Sequence, residues 1–102
     1  MTTEQIIDTK FKDRAAGKEA GDLLFSHNVA IEVLDECQKI KGVILGLDFW
    51  QVVGDTVKEV NSADYSNLSE GPSAAELTVE EAKSLIQDKL PDNADYVSFV
   101  FK

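Results

Sequence analysis

Nucleophilic or general-base chemistry in this chain would have to run through one histidine, His27, one cysteine, Cys37, or its carboxylates. A catalytic nucleophile is normally activated by a neighbouring base, most often histidine. His27 stands beside Ser26 at the start of a helical pattern, with no cysteine or acid at a spacing diagnostic of a triad. It therefore reads as a capping or core-edge residue. Cys37 falls in the middle of an apolar stripe, the setting of a buried, inert thiol. One Cys and one His exclude zinc sites of ordinary composition. The stretch Asp64-Tyr65-Ser66-Asn67-Leu68-Ser69 opens like a calcium loop, yet glycine is missing from its sixth place and Ala75 occupies the twelfth. Gly42 and Gly46 make neither a phosphate loop nor a dinucleotide fingerprint. No enzyme, no metal and no cofactor is expected.

What the chain has in quantity is negative charge. Its 102 residues carry a formal net charge of −9. From Gly42 to Ala82 there are eight acids (Asp48, Asp55, Glu59, Asp64, Glu70, Glu76, Glu80 and Glu81) and a single base, Lys58. The first 41 residues hold eight acids against six bases, a net of −2. Clustered like charge repels itself in a folded domain; it serves solubility or draws in a basic partner. Direct contact with nucleic acid is not expected, because phosphates must be neutralised by Lys and Arg. No stretch approaches the roughly 20 apolar residues of a membrane helix. The opening Met1-Thr2-Thr3-Glu4-Gln5 lacks the features of a secretory signal, and a lone cysteine allows no internal disulfide, so the cytoplasm is the expected location. The sequon Asn67-Leu68-Ser69 is then a chance match.

The elements that must position these residues make one domain over 1–102. Thr3 can cap a short opening helix with Ile6, Ile7 and Phe11 on one side, and Ala15 to Gly21 reads as a loop. Residues 1–25 are the less regular opening segment. From a cap at Ser26 or Asn28, Ala30, Val33, Leu34, Cys37 and Ile40 recur at helical spacing, with Gly42 placed for a left-handed terminus. Val43 to Val53 reads as a buried strand, and Gly46 inside it marks a bulge or a close backbone approach. A turn at Gly54-Asp55 returns Thr56 to Val60 antiparallel. Asn61 to Ala75 is polar, and a long loop fills 61–77. Thr78-Val79-Glu80-Glu81 is a capping box for a helix with Ala82, Leu85, Ile86 and Leu90 on its apolar stripe, ended by Pro91. Tyr96 to Phe101 closes as a strand. Val97, Phe99 and Phe101 share one face of it, and Tyr96, Ser98 and Val100 the other. Strand, helix, strand in that order predicts a right-handed, parallel crossover. The expected class is α+β: a single two-layer domain, with a small mixed sheet of three or four strands and two main helices.

Partner-binding candidates follow from acids interleaved with aromatics in the turns and the loop: Asp48, Trp50, Asp55, Glu59, Asp64, Tyr65 and Glu70. Interfaces concentrate binding energy in Trp, Tyr and charged groups that pair across the join. Trp50 reads first as ordinary packing at a strand end and second as an interface residue, whereas Tyr65 in a polar loop favours the interface. Asp48 either faces a partner from a strand end or anchors a neighbouring loop by accepting its amides.

Several of these segments together resemble a known family. They are Asn28 with Ala30, Val33 and Leu34; Ile44-Leu45-Gly46-Leu47-Asp48; Asp64-Tyr65-Ser66-Asn67; Glu81-Ala82 with Ile86; and Tyr96 with Val97. Over about residues 27–101 the chain is similar to bacterial polymorphic-toxin immunity proteins of the immunity protein 40 family. It differs in having Leu47 where the family tends to a second Gly, and Leu68 and Ser69 where aromatics are expected. The resemblance implies a small cytosolic protein that binds and neutralises a cognate toxin domain, often a nuclease. An acidic inhibitor suits a basic, phosphate-binding toxin. The alternative reading is an acidic adaptor or regulatory subunit of a larger complex with no toxin partner.

Overall fold

The computed structural model describes residues 1–88 and 94–102. Helix α1 (Thr3–Phe11) is capped one residue earlier than expected. The Thr2 hydroxyl accepts the Gln5 amide and the Gln5 side chain answers the Thr2 amide, a reciprocal box. The segment expected as a loop forms a small hairpin, β1 (Gly17–Glu19) against β2 (Asp22–Leu24). Its turn uses Ala20 and Gly21 at positive φ, and only the glycine announces such a turn in sequence.

Helix α2 (His27–Lys39) buries Ala30, Val33, Leu34 and Cys37, as the spacing required. Ser26 takes the N-cap position, although its side chain makes no capping bond. At the other end Lys41, not Gly42, adopts the left-handed backbone, with φ 57°. Gly42 is needed for another reason: a Cβ there would stand 2.6 Å from Thr3 Cγ2 and 2.8 Å from Cys37 Sγ. The residue after the helix is thus squeezed between α1 and α2.

Strand β3 (Ile44–Val53) is the centre of a three-stranded sheet, with β4 (Thr56–Asp64) on one side and β5 (Tyr96–Phe101) on the other. Both ladders are antiparallel. β4 and β5 therefore run in the same direction, as the crossover predicts, but β3 lies between them. β4 continues four residues past the expected Val60, so Asn61 to Asp64 are sheet and not loop. The remaining connection holds a single 3₁₀ turn, Ser66–Leu68, before helix α3 (Ala74–Asp88).

The sequence capping box is not used as one, because α3 begins four residues earlier. Thr78 lies fully buried inside the helix, where its hydroxyl donates to the Ala74 carbonyl at 2.8 Å and accepts the Ile44 amide at 3.0 Å. One side chain thus ties α3 to the first residue of β3. Thr78→Val keeps the shape but orphans the buried Ile44 amide, and should lower unfolding free energy by about 1–3 kcal/mol. Thr78→Ser should recover most of that in urea titration; equal losses from both would mean the hydroxyl is irrelevant. Leu90 and Pro91, expected to finish this helix, lie outside the described residues.

Leu47, Phe49, Val97 and Phe99 from one sheet face join Ile7, Phe11, Leu34, Val79 and Ile86 from the helices in one core. All three helices contribute to that side. The result is two layers, with the helices on one face of the sheet.

Candidate functional site

Among the described residues, no helix lies over the opposite face of the sheet. Successive strand residues point to opposite faces and ladder partners share one. The register places Asp48 between Ser62 and Ser98, Gly46 between Asp64 and Val100, and Trp50 between Glu59 and Tyr96. Four expected partner-binding residues, Asp48, Trp50, Glu59 and Asp64, are thereby gathered on one surface.

Glu59 arrives there through an irregularity. The register against β4 slips between Phe49, which faces Asn61, and Trp50, which faces Glu59. The extra residue, Val60, turns toward the core, and Glu59 is redirected to the open face beside Asp48. The Asp48 carboxyl is pushed up to about 6, first by burial, then by a hydrogen bond to and repulsion from Glu59, then by the charge of Asp22. Two carboxyls so placed hold a proton that separated ones would release. Trp50 is fixed next to them: its indole Nε1 donates to the Ser98 hydroxyl at 2.9 Å, and Ser98 is fully buried. Asp64 anchors its own turn, accepting the Ser66 amide at 2.8 Å, a bond that lowers its carboxyl below the usual range.

The other three candidates divide. Asp55 sits in the β3–β4 turn and lines a groove against the β1–β2 hairpin. Tyr65 is a correction. It is only 8% exposed and belongs to the core, because β4 carries the chain inward and the Tyr65 amide donates to Leu45 carbonyl at 2.7 Å. Glu70 lies in the connection after the 3₁₀ turn, outside the sheet ladders; Lys102 Nζ bonds its carboxylate at 3.0 Å and the Ser69 carbonyl at 2.9 Å. It is already neutralised within the chain.

Ion pairing is as uneven as the charge. Among the described residues, α2 has all its acids matched: Glu36 with Lys10, Glu32 with Arg14 and Asp35 with Lys83. Asp48, Asp55, Glu59 and Asp64 take part in none of the ion pairs among the described residues. Lys58 faces Gln51 across the ladder, and so points away from the open surface. Sequence alone underrates Ser98, Ser62, Val52, Val57 and Val100 as members of this face. Their signal is period-two alternation, legible in β5 and obscured for Ser62 by the polar composition of Asn61 to Asp64.

Holding Asp48 and Glu59 together has a cost in stability that depends on pH. A carboxyl whose folded value exceeds its unfolded one favours the fold while protonated, and that contribution disappears as pH rises through about 6. With solvent screening of this partly open pair, the contribution is about 1 kcal/mol. Asp48→Asn should therefore raise the melting temperature by about 5 °C at pH 7.5 and leave it unchanged at pH 4. An identical shift at both pH values would rule out the carboxyl pair as the cause.

Among the described residues no group of three or more His, Cys, Asp or Glu side chains converges to hold a metal ion. None of their helices is long and apolar enough to cross a membrane. No family model, curated protein or solved structure matches the chain.

Proposed function

We propose that this chain is an immunity protein, a stoichiometric inhibitor that binds and neutralises a cognate toxin domain through the open face of its sheet. The observation that carries the reading is the carboxylate cluster of Asp48, Glu59 and Asp64, free of ion pairs among the described residues, around the fixed indole of Trp50 on the side of the sheet that no described helix covers. The acids of α2 and Glu70 are matched within the chain; these are left for a basic surface. A nuclease or other phosphate-binding toxin must present Lys and Arg to its substrate, and a protein anion held at that field competes directly with the phosphates. The same field accelerates encounter, and desolvated charge pairs then slow release. The resemblance over residues 27–101 to polymorphic-toxin immunity proteins supports the same conclusion. Binding here is the whole activity, with no turnover and no cofactor.

The test is co-expression with the product of the gene immediately upstream. That product alone should arrest growth, and the pair should grow and purify as a stable complex. An upstream product that is harmless yet forms the complex would favour the acidic adaptor instead; absence of any complex would remove the proposal.

A further inference from the structure

The open face has a length and a pattern as well as a charge. Along β3 from Gly46 to Val52 there are six residue steps, about 20 Å of strand. At the Gly46 end a hollow of about 360 Å³ is lined by Leu45, Gly46, Asp64 and Val100, with Val100 42% exposed. At the Val52 end the β1–β2 hairpin approaches the sheet and leaves a groove of about 380 Å³, where Leu24, Val52, Val57 and Tyr96 line an apolar part beside Lys18 and Asp55, with Val52 46% exposed. Glu59 and Trp50 lie between these two recesses, and Asp48 lines the inner side of the first. A second copy of the chain is a poor occupant, since it would bring the same carboxylates against themselves.

We propose that the partner of this face presents an arginine to Asp48 and Glu59, stacked on Trp50, flanked by two apolar side chains about 20 Å apart that fill the recesses. This rests on the reading of the chain as a binder of a basic protein, and adds the chemistry of what it binds. Guanidinium is the cation of choice because it is planar. It bonds carboxylates through paired N–H groups and lies flat against an indole, where an ammonium is only a point charge. Seating it requires an ionised Asp48, so docking expels the proton that Asp48 holds at acid pH. The titratable groups bearing on Asp48 are Glu59 from β4 and Asp22 from β2, both acidic and both holding the proton in place. Asp64 lines the hollow shared with Asp48, and Lys18 of β1 acts on Asp22. Complex formation therefore strengthens from pH 5 to pH 7.5.

An extended peptide serves as a ruler, because its odd positions share one face and seven residues span about 20 Å. The probe is acetylated, amidated Leu-Ser-Arg-Ser-Arg-Ser-Leu, titrated into the full chain and followed by Trp50 emission and backbone amide shifts. Amides of Asp48, Trp50 and Glu59 should move, and the lysine version of the peptide should bind at least fivefold more weakly. Affinity should fall about tenfold at pH 5, one unit below the Asp48 midpoint of about 6, and Glu59→Gln should flatten that dependence. Val52→Ser and Val100→Ser should each weaken the leucine-ended peptide and leave a serine-ended one unchanged. Shifts confined to other surfaces, equal arginine and lysine affinities, or a flat pH response would overturn the inference. Should a cognate toxin bind Val52→Ser, Val100→Ser and Glu59→Gln as tightly as the unaltered chain, this footprint fails while the immunity reading stands. Should the peptide behave as described and no toxin exist, the reverse holds.

Discussion

Gly46→Ala will cost this fold on the order of 3 kcal/mol, a large part of the stability of a domain this size. A Cβ at Gly46 would stand 2.6 Å from the Ala63 carbonyl oxygen, a backbone atom of the adjacent strand that cannot rotate away. Relief requires β4 to move off β3 at the end where Gly46 faces Asp64. That end also carries the Tyr65 amide bond to Leu45, so the displacement would draw Tyr65 out of the core. Urea unfolding should show a sharply lowered midpoint, and amide exchange should accelerate first at Ala63 to Tyr65. Gly17→Ala is the control, since a Cβ there meets only Leu24 Cδ1 at 4.0 Å. Equal midpoints for the two variants would mean that the close approach of β3 and β4 is not required.

Reversing Asp48 and Glu59 together to lysine should slow association with a basic partner by about 10–10³-fold at low salt, and abolish the salt dependence of the rate. The effect comes from position more than from total charge. Glu76→Lys with Glu80→Lys changes the net charge by the same amount on α3, where both acids are exposed and remote from the open face of the sheet. That control should alter the rate by only a small factor, because exposed charges beyond a screening length of roughly 10 Å act weakly. Stopped-flow mixing with the proposed toxin partner measures both. If the α3 reversal slowed binding as much as the sheet reversal, the open face would not be the contact surface. Asp48→Asn separates docking from folding in the same series. It should stabilise the chain at neutral pH while weakening the complex, opposite signs from one substitution.

An Asp48 carboxyl held against Glu59, with no cation paired to either, opposes its own fold above about pH 6 and is the pattern expected when a surface is completed by another molecule. Four of the seven proposed contact residues belong to that surface, Asp55 borders it, and Tyr65 and Glu70 serve the chain itself. The division follows physics that composition does not carry. Tyr65 sits among Asp64, Ser66 and Asn67, all of which signal a polar loop, yet its ring is buried because β4 extends far enough to deliver it inward. Glu70 reads as free charge until Lys102, 32 positions away, is found beside it.

Local pattern determined what depends on local spacing: the apolar stripe of α2, the buried run of β3, the alternation of β5, and a glycine at 46 where backbones approach. Each follows from side-chain period or from the absence of a Cβ, and both are readable residue by residue. Tertiary packing alone decided that Thr78 bridges α3 to β3 instead of capping, that Lys41 takes the left-handed turn while Gly42 makes room for Thr3 and Cys37, and that residues 17–24 pair as a hairpin. It also decided the site. Asp48 and Glu59 are eleven positions apart and meet only because one extra residue in β4 shifts the register, an event set by the competition of Val60 for the core.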